Sequence, residues 1–331
     1  RDVGDAPLPT EYGFDESYVS FEGLGDRVLF GNGRNASASE KLGRGKIDHA
    51  PKHQTTRIYT DKSIDFISRH REQPFYLELF PNDVHDGFLP ADGQAEKFAK
   101  LTDNPEEQKF LAVLTEMDRQ IGRLLKHLET TGLAKRTIVI FTSDNGPTDW
   151  PRYYERGIDP PGFTGPFFGR KWSLYEGGIR MPFIIRWPGR VPSGRTDDNS
   201  VVAAFDLQPT VAKLTGISTP KGKVYDGLDR SSVLLGNPSG RSQPVCWEYG
   251  VLGSISPGKK EHKSPGLAMR LGDWKLLCQP DGSEPKLFNL KQDPSERNNL
   301  TGRDPDRTKK MTAKLTSWWK QMQRNYLRTA R

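Results

Sequence analysis

The stretch Thr137–Pro147, Thr-Ile-Val-Ile-Phe-Thr-Ser-Asp-Asn-Gly-Pro, constrains the fold more than any other part of the chain. Thr137–Phe141 is β-branched and aromatic without polar alternation, the pattern of a strand buried on both faces of a parallel sheet. It runs straight into Asp144-Asn145-Gly146-Pro147, where Gly and Pro force a turn. In open α/β sheets, ligands collect in the crevice beyond the carboxyl ends of the strands. A carboxylate and an amide oxygen side by side at such a place suit a hard cation, Mg²⁺ or Ca²⁺, better than a soft metal. The same residues also suit a plain turn, so the flanking sequence has to decide.

The helix and strand signals around this stretch define its setting. Thr60–Arg71 has the apolar spacing of a short helix, and Phe75–Phe80 reads as a strand followed by the polar turn Pro81–Gly87, which holds His85. A long helix follows, with Asn104 as N-cap, Pro105 at its first position and Glu106-Glu107 in its first turn. Its apolar face is Phe110, Leu114, Met117, Ile121, Leu124, Leu125 and Leu128, and Gly132 is placed to end it. Strand, helix and the 137–141 strand together predict a right-handed βαβ crossover, with His85 and Asp144/Asn145 at one edge of the sheet.

The rest of the chain is less regular. Residues 1 to about 55 read as loop with short ordered pieces at 13–15 and 21–25. Trp150–Gly169 reads as a long Gly- and Pro-rich loop over the sheet edge. Phe183–Trp187 is a further strand, and Asp206 begins a short helix stopped by Gly216. From about Pro244 the texture changes to short strands, at 267–270, 274–277 and 286–290, suited to a small antiparallel sheet. A last helix from about Pro305 presents Met311, Leu315, Trp318, Trp319, Met322 and Tyr326 as a packing face.

Composition narrows the partners. The 331 residues carry 27% charged and 34% hydrophobic side chains, with a formal charge of +7. That excess favours an anionic partner, but no basic run with interleaved aromatics indicates nucleic acid. No apolar run approaches a membrane span. Cys246 and Cys278 allow one disulfide or two buried thiols and exclude a Cys-rich zinc site.

In order and spacing these segments resemble the sulfatase family of the alkaline-phosphatase-like superfamily. The resemblance rests on Thr142–Pro147, on Lys171 with Ser173–Phe183, on Arg186–Gly189, on Asp206–Thr210, and on Leu287–Leu290 with Asp293–Glu296 and Asn299-Leu300. It implies an α/β fold with a mostly parallel central sheet flanked by helices, and a small C-terminal antiparallel sheet plus helix. It implies a catalytic domain over 1–243 and a C-terminal subdomain over 244–331. Asp144 and Asn145 would be metal ligands, with Ca²⁺ favoured over Mg²⁺. Lys171 would bind the sulfate oxygens, and His85 would bind the ester oxygen and assist the leaving group. The substrate would be a sulfated small molecule or polysaccharide, and the compartment periplasmic, secreted or lysosomal. His49, His53, His70, His127 and His262 match no family position and default to the surface, and Asp83 and Asp86 read as turn residues.

One family element has no counterpart in these residues. Sulfatases carry a Cys or Ser in a Cys/Ser-x-Pro-Ser/Ala-x-Arg segment, oxidised to formylglycine, and neither Cys246 nor Cys278 lies in one. The early Asp-Asp metal pair and the first lysine–histidine segment are likewise without a match. The expectation is therefore the C-terminal portion of a sulfatase, inactive by itself, with formylglycine upstream. Two alternatives stand: a phosphatase or phosphodiesterase of the same superfamily, and a non-catalytic protein that binds sulfated glycans.

Overall fold

The computed structural model describes residues 7–20, 25–30, 39–41, 44–250 and 255–329, with side chains as far as 325. Most of the expected 21–25 piece and Tyr326 of the last helix's stripe fall outside that set. The chain forms two compact units, one ending at Leu133 and the other beginning at Ala134.

In the first unit, β1 (Arg27–Phe30) and β2 (Ile47–Ala50) pair in parallel. The helix expected from Thr60 starts earlier, as α1 (Thr55–Arg69). α2 (Pro105–Thr130) packs on it. The Asn104 side chain accepts from Glu106 N at 3.0 Å and Glu107 N at 3.4 Å, and Gly132 follows the helix at φ 74°. Its buried face is Ala112, Val113, Met117, Gln120 and Leu128; Leu114, expected there, is exposed. Arg123 of α2 bridges to Asp61 of α1 at 2.7 Å, beside the apolar contact.

The strand expected over Phe75–Phe80 is not formed. Positions 75, 77 and 79 are half-buried and 76, 78 and 80 exposed, the alternation of a strand, but no ladder joins them to a neighbour among the described residues. β propensity reflects fit to a pleated surface and does not supply the partner. The βαβ crossover inferred from that strand is accordingly absent from the described pairings.

In the second unit, β3 (Val139–Thr142) pairs antiparallel with β4 (Phe183–Arg186), from Val139↔Arg186 to Thr142↔Phe183. Its residues are partly covered, not buried on both faces as the sequence suggested. Between these strands lie the short helices α3 (Pro151–Glu155), inside the expected 150–169 loop, and α4 (Glu176–Ile179). α5 (Leu207–Thr215) ends at Gly216, which is left-handed at φ 74°. Asp206, before it, is fully buried and ion-paired with Arg241, and it accepts from Leu228 N and Ala203 N at 2.8 Å each. α6 (Ser231–Leu234) leads to the C-terminal sheet.

That sheet is antiparallel in the order β5 (Val245–Glu248), β6 (Leu267–Leu271), β7 (Trp274–Cys278), β8 (Lys286–Asn289). β5 was not anticipated from the sequence. Both faces are covered, which is why β6 and β7 read as apolar runs. Leu267, Met269, Leu276, Cys278 and Leu287 face Met311 and Leu315 of α7 (Pro305–Thr329). The alternate residues Ala268, Leu277 and Phe288 pack on Leu174 and Tyr175. Period-2 alternation thus puts a helix on one face and the lysine segment on the other. Cys246 on β5 and Cys278 on β7 are free thiols with β6 between them, and burial pushes both up to about 11.

Candidate active site

Asp144 and Asn145 sit on the turn that leaves β3, Asp144 exposed and Asn145 half-buried. The Asn145 amide donates to Gly146 O at 3.1 Å, which leaves its side-chain oxygen unused. The Asp144 carboxylate has no hydrogen bond or ion pair among the described residues.

Lys171 is brought beside this turn by a knot of glycines. Lys171 N donates to Pro147 O at 2.9 Å and Gly146 N to Gly178 O at 3.0 Å. A Cβ on Gly146 would lie 1.9 Å from Gly177 O, and one on Gly177 would lie 2.1 Å from Gly169 O. Only glycine permits backbones to approach this closely. The turn 144–147 and the segment 169–178 are therefore one backbone unit. The Lys171 ammonium lies 5.9 Å from the Trp172 ring centroid and has no ion pair among the described residues.

The segment is anchored from below by buried charge. Lys275 of β7 is fully buried, with its ammonium 2.9 Å from Glu176 Oε1 and 2.9 Å from Glu296 Oε1. Glu176 N donates to Glu296 Oε2 at 2.5 Å. Burial pushes Glu296 up to about 7, with the Glu176 charge adding to it and Lys275 opposing. Burial would raise Glu176 as well, but Lys275, Arg270 and Arg180 outweigh it and hold that carboxyl below its ordinary value. Tyr175 accepts from the Lys286 ammonium at 2.6 Å. The C-terminal sheet thus fixes the peptide that carries Lys171.

His85 belongs to the first unit. It is exposed, its Nδ1 lies 2.7 Å from Asp86 O, and its N–H donates to Asn82 O at 3.0 Å. The turn is pinned by Lys52, whose ammonium donates to His85 O at 2.7 Å and Gly87 O at 2.6 Å. Asp83 is more than the turn residue it resembled in the sequence. It is buried against Thr56 Oγ1, and burial pushes it up to about 6.

His262 corrects the surface default. Its Nδ1 lies 3.0 Å from Oδ2 of Asp149, and its ring meets Phe168 edge-on at 5.4 Å. Asp149 is fully buried and also accepts from Tyr154 OH at 2.5 Å and Gly258 N at 3.1 Å. Burial and this carboxylate raise the Tyr154 phenol well above its ordinary range. Residues 149 and 262 are too far apart in the chain for spacing to pair them.

Asp144 and Asn145 fit a hard divalent cation as two oxygen donors. Among the described residues no group of three or more His, Cys, Asp or Glu side chains completes such a site. Among the same residues, no helix is long and apolar enough to cross a membrane.

The sulfatase family profile matches residues 11–217, and that of the N-sulphoglucosamine sulphohydrolase C-terminal region matches 165–325. The chain is 30% identical over 264 residues to an N-acetylgalactosamine-6-O-sulfatase of Bacteroides thetaiotaomicron, covering 78% of this chain and 50% of that protein. It is 31% identical over 270 residues to the steryl-sulfatase of Mus musculus, covering 74% and 41%. A solved structure from work on the metabolism of multiple glycosaminoglycans by Bacteroides thetaiotaomicron superposes with a TM-score of 0.64 at 25% identity, covering 83% of this chain and 55% of that one. The chain spans about half or less of the curated relatives it matches. The fold is α/β and alkaline-phosphatase-like, with the expected C-terminal antiparallel sheet plus helix. Sulfatases generally use a metal ion and formylglycine, and this chain belongs to the sulfatase family.

Proposed function

We propose that these residues supply the sulfate- and metal-binding half of a sulfuric ester hydrolase that acts on sulfated carbohydrate or aryl sulfate esters. The observation that carries the reading is the glycine knot. It holds an unpaired carboxylate, a free amide oxygen and the lysine segment on one backbone unit. Lys171 binds the sulfate oxygens and offsets charge that grows on them as the S–O bond breaks. Asp144 and Asn145 hold a divalent cation, Ca²⁺ in preference to Mg²⁺, which would add to that neutralisation. His85, assigned by the resemblance alone, binds the ester oxygen and supplies a proton to the leaving group. The division into 1–243 and 244–331 and a location outside the cytoplasm belong to the same reading.

No Cys/Ser-x-Pro-Ser/Ala-x-Arg segment lies within the 331 residues. In this family that segment's formylglycine supplies the attacking oxygen. The chain alone is therefore expected to bind sulfate esters without turning them over. Purified chain is assayed on an aryl sulfate and on sulfated sugars, and no turnover above background is expected. A substantial rate abolished by Lys171→Ala shows that the nucleophile is among these residues and overturns that part of the reading.

A further inference from the structure

Beside the lysine segment lies an open cleft of about 490 Å³, walled by Tyr154 and residues 159–160 and 162–170 and bordered by Lys259, His262, Ser295 and Arg297. Its shape is fixed from beneath. The Arg170 guanidinium donates to the carbonyls of Thr148, Pro160, Pro161 and Gly162 at 2.6–3.0 Å, so the loop it holds cannot collapse cheaply. His262 is fixed by the buried Asp149, which leaves Nε2 as the ring atom available to a ligand.

The lining is cationic and aromatic together. Lys259 lies 4.8 Å over the Tyr154 ring and 3.2 Å from the carboxylate of exposed Asp159. Arg297 is exposed and has no hydrogen bond or ion pair among the described residues. Phe163 is 89% exposed at the mouth, an apolar ring left uncovered by the described residues. A flat ring beside the unpaired Arg297 guanidinium matches a sugar, whose C–H face stacks while its acidic substituent pairs with that guanidinium; Lys259 is already engaged by Asp159. The volume holds one or two sugar rings, too little for a polymer duplex. The wall ends at Arg170, the residue before Lys171.

We propose that this cleft is a second subsite. It takes a further anionic substituent, sulfate or carboxylate, of the saccharide whose scissile sulfate rests on Lys171. Arg297 is the principal cation, and His262 receives a sugar hydroxyl. The proposal rests on the sulfate-ester reading of Lys171 and names the substrate class: saccharides with at least two acidic groups.

The test is calorimetric titration of the chain in 150 mM salt and millimolar Ca²⁺. The two probes are glucosamine 2-N,6-O-disulfate and N-acetylglucosamine 6-sulfate, in which a neutral acetyl replaces the anionic sulfate on nitrogen. The disulfate is expected to bind about tenfold more tightly, as one added charge-assisted contact gives. Arg297→Ala reduces that ratio to below about twofold and leaves the monosulfate unchanged, whereas Arg297→Lys keeps part of it. Lys171→Ala weakens both probes alike and preserves the ratio. A wild-type ratio near one, or a ratio indifferent to Arg297→Ala, overturns the subsite. If Lys171→Ala leaves both affinities intact while Arg297→Ala still abolishes the ratio, the subsite stands and the assignment of Lys171 falls.

Discussion

Replacing Lys275 with methionine removes the ammonium that bridges Glu176 and Glu296 at 2.9 Å on each side. The lysine is fully buried and the carboxylates are 2% and 4% exposed, so water cannot take its place. Exposed ion pairs contribute about 0–1 kcal/mol, but removing one partner of a buried pair costs about 3–5 kcal/mol. Two features set where in that range this site falls. Arg180 and Arg270 lie 3.7 and 3.8 Å from the second oxygen of Glu176 and partly replace the lost charge. Glu296, already near 7, escapes by taking a proton when the solution is acidic enough. The expected loss is therefore about 3 kcal/mol at pH 8 and clearly less at pH 5.5. The triple variant K275M/E176Q/E296Q, without buried charge, recovers most of it, as replaced buried ion clusters do. Urea unfolding followed by tryptophan fluorescence at the two pH values measures all three proteins. A loss at pH 8 below about 1 kcal/mol, or a triple variant no more stable than K275M, refutes the claim that this cluster anchors the lysine segment.

The same cluster sets a pH dependence. Glu296 is raised from 4.5 to about 7, so the native state holds its proton more tightly than the unfolded chain. Its contribution is full below about 4.5, falls as pH rises through 7, and amounts to about 3 kcal/mol. The lowered carboxyl of Glu176 acts in the opposite sense but below 4.5, outside that window. E296Q is expected to reduce the slope of the stability profile between pH 5 and 8, where Asp83, raised to about 6, keeps part of it, and an unchanged slope counts against the assignment. Gly146→Ala puts a Cβ 1.9 Å from a backbone oxygen and is expected to cost about 1–3 kcal/mol or more in thermal or urea unfolding. Gly122→Ala, on α2 with nothing within 4 Å of the new atom, is expected to stabilise by about 0.5–1 kcal/mol. Equal effects from the two alanines contradict the account of the knot.

What the sequence made legible was local. The Asn104 cap with Pro105, the Gly216 stop, the β4 run and the β6, β7 and β8 runs each carry their signal within a few residues, and each formed near the expected place. The extended 75–80 stretch misled because its alternation is real but a ladder needs a partner that composition does not name. β5 was missed because Val245–Glu248 is short and lies among Pro, Gly and Ser. The site followed the same division. Asp144, Asn145 and Lys171 were singled out from their own segments, but the glycines that bind those segments together were not, because close approach between backbones leaves only glycine as its trace. The Asp149–His262 contact and the Lys275–Glu176–Glu296 cluster span 113, 99 and 120 residues, beyond any periodicity.

The central claim is that Lys171 and the Asp144-Asn145 turn form one sulfate-binding site. Calorimetric titration of the chain with 4-nitrophenyl sulfate in millimolar Ca²⁺ tests it most directly. A charge-assisted contact contributes about 1.5–3 kcal/mol, so Lys171→Ala is expected to weaken binding about tenfold or more. Asp144→Ala is expected to weaken it too and to remove its dependence on Ca²⁺. Lys135→Ala, at an exposed lysine in the 3-10 turn Ala134–Arg136 before β3, is expected to change nothing. Wild-type affinity in Lys171→Ala, or equal losses in Lys171→Ala and Lys135→Ala, contradicts the site.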